Sequence, residues 1–156
     1  MGCFELVLTG GEIFTRNDAV DIIKKAREMH FSVTLFSNIS LLDEPMVAKL
    51  SSLHLREISC TVFSLNPILH DKITRRKGSL HKVLRNIDLL KKHAIPIEVK
   101  TILMSVDPDA YKHLNEFCLR KGIEYLVTTY ICAKNDNDKS PKELSLIPLQ
   151  ILTSGA

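Results

Sequence analysis

Short apolar runs alternate with amphipathic stretches along most of the chain. Phe4, Leu6, Val7 and Leu8 are apolar almost without a break, the pattern of a parallel strand covered on both faces rather than a half-exposed one. Residues 17–30 carry Val20, Ile23, Ala26 and Met29 at helical spacing, with Lys24, Lys25, Arg27 and Glu28 opposite. That spacing predicts an amphipathic helix opened by the polar Thr15, Asn17 and Asp18. Residues 32–36 predict a second strand, and Ser37-Asn38 at its end suits a turn. Asp43 is placed to cap a second helix running to about residue 53, with Met46, Val47, Leu50 and Leu53 on one side. Residues 58–63 predict a third strand.

From Ser64 to Gly78 the pattern predicts a loop, longer than most strand-to-helix connections and therefore a place for function or mobility. His70-Asp71 within it reads as a local hydrogen-bonded pair that fixes the loop, in preference to an acid–base pair. Ser79 is placed to cap a strong helix with Leu80, Val83, Leu84, Ile87 and Leu90 inward and Lys91, Lys92 and His93 at its end. Residues 96–103 predict a fourth strand, Asp107-Pro108 the start of a fourth helix, Gly122 its stop, and residues 123–131 a fifth strand.

Strands alternating with helices predict an α/β fold with a parallel sheet. Two architectures fit: a five-stranded partial (β/α) barrel, or a flavodoxin-like open sheet. Both gather function at the C-terminal ends of the strands. Those ends hold Gly10, Gly11 and Glu12, then Ser37 and Asn38, then Thr61 to Ser64, Leu103 to Ser105, and Ala133 to Asn135. At the first of them, two adjacent glycines can take positive φ and let a ligand approach the backbone, with Glu12 adding an acceptor.

Composition narrows the function. At 156 residues, 45% hydrophobic and 25% charged, the chain suits one globular domain. A net charge of +3 is too small and too scattered to argue for nucleic acid or an acidic membrane surface. Arg75-Arg76-Lys77 reads as a solvated loop. No apolar segment is long enough to span a bilayer and the first residues lack a secretory pattern, so the expected location is cytoplasmic. Cys3, Cys60, Cys118 and Cys132 form no CxxC or CxxxCxxC set, and the six histidines show no HxxxH spacing, so no metal site is predicted from local spacing. Reduced, mostly buried thiols are expected.

Taken in order, Leu8-Thr9-Gly10-Gly11-Glu12, the turn at Asn38, His70-Asp71-Lys72-Ile73-Thr74, Lys77-Gly78-Ser79 and Ile97-Glu98-Val99-Lys100-Thr101 resemble the core of the radical S-adenosylmethionine (radical SAM) enzymes. The resemblance is strongest to the SPASM-type peptide-modifying branch that includes the pyrroloquinoline quinone (PQQ) synthesis protein E. It implies strands two to six of a partial TIM barrel over residues 1–134, and an exit segment or tail over 135–156. It also implies S-adenosylmethionine as cofactor. Gly10, Gly11 and Glu12 fall on the family's GGEP stretch, which receives the ammonium of the cofactor's methionine part, with Ile13 replacing the proline. Thr61, or Ser59 on the same face, falls on a position that touches the ribose or carboxylate; Lys100 falls on a basic residue that pairs the carboxylate, and Asn38 on the small polar turn.

The same resemblance implies a [4Fe–4S] cluster held by a CxxxCxxC loop. That loop is absent from the sequence and is expected upstream of Met1, so the chain is expected to be an internal fragment, inactive by itself, of an iron–sulfur oxidoreductase or peptide maturase. The implied reaction cleaves S-adenosylmethionine to a 5′-deoxyadenosyl radical that modifies a peptide or a cofactor precursor. Expected partners are a peptide or small-molecule substrate, with no nucleic acid and no membrane, and self-association of the truncated barrel through exposed strand edges. Two other readings are a flavodoxin-like binding module and a degenerate, non-catalytic scaffold.

Overall fold

The computed structural model describes residues 4–131, 143 and 145. Cys3, Cys132, the last predicted strand end at 133–135 and the tail beyond it lie outside the described residues, apart from those two positions. Five strands run β1 (Glu5–Leu8), β2 (Ser32–Phe36), β3 (Glu57–Thr61), β4 (Ile97–Ile102) and β5 (Glu124–Thr128). Between them lie helices α1 (Ala19–Glu28), α2 (Glu44–Ser51), α3 (Pro67–Thr74), α4 (Ser79–Lys92) and α5 (Ala110–Lys121), and a 3₁₀ turn at Ile13–Thr15.

The strands form one sheet in the order β1-β2-β3-β4-β5. β1 and β2 pair in parallel with Glu5 opposite Ser32 and Leu8 opposite Leu35; β2 and β3 pair in parallel with Thr34 opposite Glu57. The next rungs rise together as a parallel pair must: Ile58 N–H donates to the Pro96 carbonyl and Val62 N–H to the Lys100 carbonyl. Right-handed crossovers in a strictly sequential order put successive helices on one face of such a sheet. That is the winding of a (β/α) barrel, and it excludes the flavodoxin-like alternative, whose strand order reverses partway through the sheet.

By contacts the chain forms two units, one from the residues up to Thr61 with His81–Glu98, the other from Val62–Leu80 with Val99 onward. In the first, one face of the sheet is apolar: Val33, Leu35, Ile58 and Cys60 are buried with Ile23 and Ala26 of α1, Val47 and Leu50 of α2, and Val83, Ile87 and Leu90 of α4. The alternate positions Thr34, Glu57, Ser59 and Glu98 give the other face its polar character. β1 departs from expectation. Phe4 is 76% and Val7 49% exposed, so β1, at the edge of the sheet among the described residues, is not covered on both faces. Asp43 caps α2 as predicted, its Oδ1 accepting from Met46 N–H at 2.8 Å.

In the second unit the predicted long loop is largely helix. Asn66 caps α3 and Pro67 occupies its first turn, where proline's fixed φ and missing N–H cost nothing. Ser79 is not the cap of α4. That role falls to Asp71, eight residues earlier, whose Oδ1 accepts from Leu80 N–H (3.1 Å) and Ser79 Oγ (2.9 Å), and whose Oδ2 accepts from Gly78 N–H. These bonds hold the Asp71 carboxyl below its ordinary range, the Leu80 amide contributing most. His70 and Asp71 therefore make no hydrogen-bonded pair: His70 turns inward, is 1% exposed, and accepts from Phe63 N–H through Nδ1 at 3.3 Å. Asp107 does not start α5; Ser64 Oγ donates to its Oδ2, and the helix begins after Asp109. Gly122 ends α5 as predicted, at φ 60°.

His70 gives the unit a pH dependence whose sign is fixed by its surroundings. Burial pushes its pKa below the ordinary 6.5, with only a partial counter-pull from Asp71, so the unfolded chain binds more protons and stability falls as pH drops below 6.5. Asp71, depressed below 3.8, keeps its contribution until pH falls through that lower value. Urea titrations across pH should therefore show two separate acid losses. His70→Gln, which retains a non-titrating acceptor, should flatten the upper one and leave the lower; a slope unchanged near pH 6 would refute the assignment.

Candidate functional site

At the C-terminal end of β1 the chain runs through Gly10 and Gly11 into Glu12. Both glycines are exposed, and a Cβ built on either meets nothing within 4 Å. Neither has a φ in the left-handed region, which glycine occupies only at Gly78 and Gly122 among the described residues. The expectation of positive φ is thus corrected: the pair is not required by backbone conformation, and leaves main-chain polar groups open on the surface.

Glu12 is the hub. Its Oε1 accepts from Phe14 N–H (3.1 Å), which caps the 3₁₀ turn, and from Ser37 Oγ (2.7 Å). Its Oε2 accepts from Asn38 N–H (2.8 Å). Ser37 N–H in turn donates to the Ser59 carbonyl at 3.1 Å, so one chain of polar contacts links the ends of β1, β2 and β3. A carboxylate offers about four lone-pair directions, so Glu12 keeps about one for a further donor. The helix-cap reading and the ligand reading of Glu12 are compatible.

The other predicted residues are placed as follows. Asn38 Oδ1 accepts from Ser40 N–H (3.0 Å) and Ser40 Oγ (2.6 Å), closing an Asx turn whose side chain stays exposed. Ser59 is 3% exposed and donates to Glu98 Oε1 at 2.8 Å. Thr61 is half-buried on the same face of β3. Gly10, Gly11, Glu12, Asn38, Ser59 and Thr61 all belong to the first unit; Lys100, half-buried on β4, belongs to the second.

Sequence reasoning missed Ser37 as the partner of Glu12 and the conformation of Ile39. Ile39 N–H donates to Ser37 Oγ (2.9 Å), and Ile39 sits at φ 51° while fully buried. A left-handed β-branched residue costs about 1–2 kcal/mol, and such strain persists only where the surroundings over-determine it. No local signal announces it, since a β-branched residue argues against that conformation.

The donor set separates two cofactors. An open glycine backbone beside a partly committed carboxylate suits an ammonium-bearing ligand such as the methionine part of S-adenosylmethionine. An iron–sulfur cluster finds no ligand set among these residues. The sequence has no CxxxCxxC, Cys60 and Cys118 are both buried, and burial pushes the Cys118 thiol up to about 11, leaving it neutral. Among the described residues no three His, Cys, Asp or Glu are grouped to hold a metal ion, and no helix is long and apolar enough to cross a membrane.

Strand order and strand-end chemistry define a protein of the (β/α)-barrel type. The family model of the Radical SAM superfamily matches residues 1–120, and the chain belongs to that superfamily. Among curated proteins it is 29% identical over 96 residues to the AdoMet-dependent heme synthase of Methanosarcina barkeri, covering 62% of this chain and 28% of that protein. It is 24% identical over 136 residues to a probable GTP 3′,8-cyclase of Methanocaldococcus jannaschii, covering 86% and 45%. The chain thus spans less than half the length of either relative. Among solved structures, SuiB of Streptococcus suis superposes with a TM-score of 0.72 at 16% identity, over 86% of this chain and 31% of that one. An anSMEcpe structure with bound AdoMet and Cp18Cys peptide gives 0.69 at 17%, over 94% and 43%. At these identities the structural likeness concerns the fold alone.

Open backbone at the glycines separates folding from binding. Gly10→Ala and Gly11→Ala, which neither clash nor demand a disfavoured φ, should shift stability by no more than about 1 kcal/mol in urea unfolding. Any ligand that lies against this backbone should lose affinity in both. A large drop in stability would show that the glycines serve the turn instead.

Proposed function

We propose that this chain is the cofactor-binding part of a radical SAM enzyme, in which Gly10, Gly11 and Glu12 receive the ammonium of S-adenosylmethionine. The observation that carries the reading is the Glu12 carboxylate, fixed by three donors beside a glycine pair with open space around it. Asn38 shapes the adjoining turn. Thr61, or Ser59 on the same face, offers a hydroxyl to the cofactor's ribose or carboxylate. A fixed carboxylate facing an ammonium orients the ligand as well as holding it. When bound in an enzyme of this kind, S-adenosylmethionine supplies a 5′-deoxyadenosyl radical for hydrogen abstraction; the residues named here bind and direct it.

The substrate we propose is a peptide or a cofactor precursor, with modification of the kind found in PQQ synthesis as the finer form. Support is divided: the curated relatives are named for haem synthesis and GTP cyclisation, whereas one of the solved neighbours holds a peptide. We also propose a cytoplasmic location and an auxiliary role for a further iron–sulfur domain. Because the sequence has no CxxxCxxC loop, binding by this chain alone should be weak, with Kd on the order of 1 mM.

A titration of the full isotope-labelled chain with S-adenosylmethionine, followed by NMR, tests the site. Shifts should be largest at Gly10, Gly11, Glu12 and Asn38 and should vanish in Glu12→Ala. Micromolar affinity by calorimetry would contradict the expected dependence on a cluster. An absence of shifts at these four residues up to about 10 mM ligand would refute the site.

A further inference from the structure

Five non-glycine residues have φ in the left-handed region: His30, Ile39, His54, Arg75 and Ala94. Four of them lie just beyond the ends of α1, α2, α3 and α4, where a left-handed residue lets the last carbonyls find donors. Ile39 ends no helix. It follows β2 directly, is β-branched, and is fully buried.

What holds it comes from α4. Asn86, itself fully buried, donates from Nδ2 to the Ile39 carbonyl (2.7 Å) and to the Leu42 carbonyl (3.1 Å). Arg85 donates from Nε (3.2 Å) and a terminal guanidinium nitrogen (3.1 Å) to Asn86 Oδ1, which fixes the amide's orientation. Leu42 N–H also donates to the Ile39 carbonyl at 3.2 Å. One amide nitrogen with two protons thus meets two buried carbonyls of the loop that carries Ser37 and Asn38, the two residues bound to Glu12. Asparagine is a poor residue for a helix interior, so its presence there calls for a partner outside the helix.

We propose that Asn86 is a positioning residue: by holding Ile39 in its left-handed conformation it keeps the Ser37–Leu42 loop in register with Glu12, and so presents Asn38 to the ligand. This rests on the cofactor reading above for what the loop serves. Without the two donors, the Ile39 carbonyl keeps only the Leu42 N–H (3.2 Å) and the Leu42 carbonyl only the long bond from Arg85 (3.4 Å), so each buried acceptor loses its shorter partner. Ile39 then gains by relaxing to an extended conformation, and that movement withdraws Asn38 N–H from Glu12. Serving α4 alone would need no such partners.

The test is NMR on the full chain with Asn86→Leu, which keeps the branched heavy-atom skeleton and removes both donors, and with Ile87→Val as a control on the same helix. In Asn86→Leu the Ile39 Cα shift should leave the left-handed range. Exchange of the Asn38 and Ile39 amides should accelerate about tenfold or more while Val33 and Leu35 keep their protection. S-adenosylmethionine affinity of the folded protein should fall about tenfold, if the loop is presented through this contact. Ile87→Val should lower Tm and move none of these. A folded Asn86→Leu with Ile39 still left-handed, or with unchanged affinity where the wild type binds, overturns the proposal. If Ile39 moves and even the wild type shows no cofactor shifts, the loop-holding role stands and the cofactor reading fails. Should Asn86→Leu not fold, native-state exchange of the wild type in mild urea decides. The Asn86 side-chain amide and the Asn38 and Ile39 amides should open together, and independent opening overturns the proposal.

Discussion

The carboxylate of Glu12 gathers Phe14, Ser37 and Asn38, and the upper rim of the first unit depends on that convergence. Two loops separated by some twenty-five residues meet on one ionised group, and each bond involves a charge, which roughly doubles its strength over a neutral pair. Ser37 carries the linkage on to the Ser59 backbone. Strand ends that would otherwise fray are fastened to one another, so their polar atoms have fixed positions before any ligand arrives. Pre-organisation of this kind reduces what binding must spend on ordering.

Sheet chemistry supplies the base for that rim. Alternation along β2 and β3 sends Val33, Leu35, Ile58 and Cys60 into the helix-covered core and Thr34, Ser59 and Thr61 to the opposite face. A strand with period two can serve a core and a polar surface at once, and the Ser59 to Glu98 bond shows that surface to be hydrogen-bonded rather than merely solvated. In the second unit, Asp71 spans a turn to cap α4 while its neighbour His70 stays neutral against Phe63 N–H. Adjacent residues thus take opposite electrostatic parts: one works only when ionised, the other only when not.

Much of the fold was legible because the strand and helix patterns alternate cleanly and because caps such as Asp43 and stops such as Gly122 act within a few residues. The helix at Pro67–Thr74 carried its signal too, in Asn66-Pro67, but the charged residues after it hid the periodicity. The edge exposure of β1 was not legible, since an apolar run reads the same whether or not a neighbour covers it. Of the candidate site, Glu12 and Asn38 were singled out from their places at strand ends, and the structure brings them into contact. Ser37 as their link, Asn86 beneath them and the strained Ile39 depend on contacts between distant positions, and the last contradicts its own local preference. Tertiary bonding overrides propensity there, as it can when several partners share the cost.

A sheet in which every strand lies beside its immediate predecessor has a further consequence, for how it is made. Each pair of successive strands closes a single crossover, the longest between β3 and β4, and the closure cost rises only slowly with length. A chain leaving the ribosome can therefore add strands singly, each docking on the edge just completed, with no need to wait for a distant segment. A sheet whose order reverses midway lacks that freedom, because an edge opened early must stay uncovered until a late strand arrives. Sequential winding makes synthesis and assembly run in the same direction.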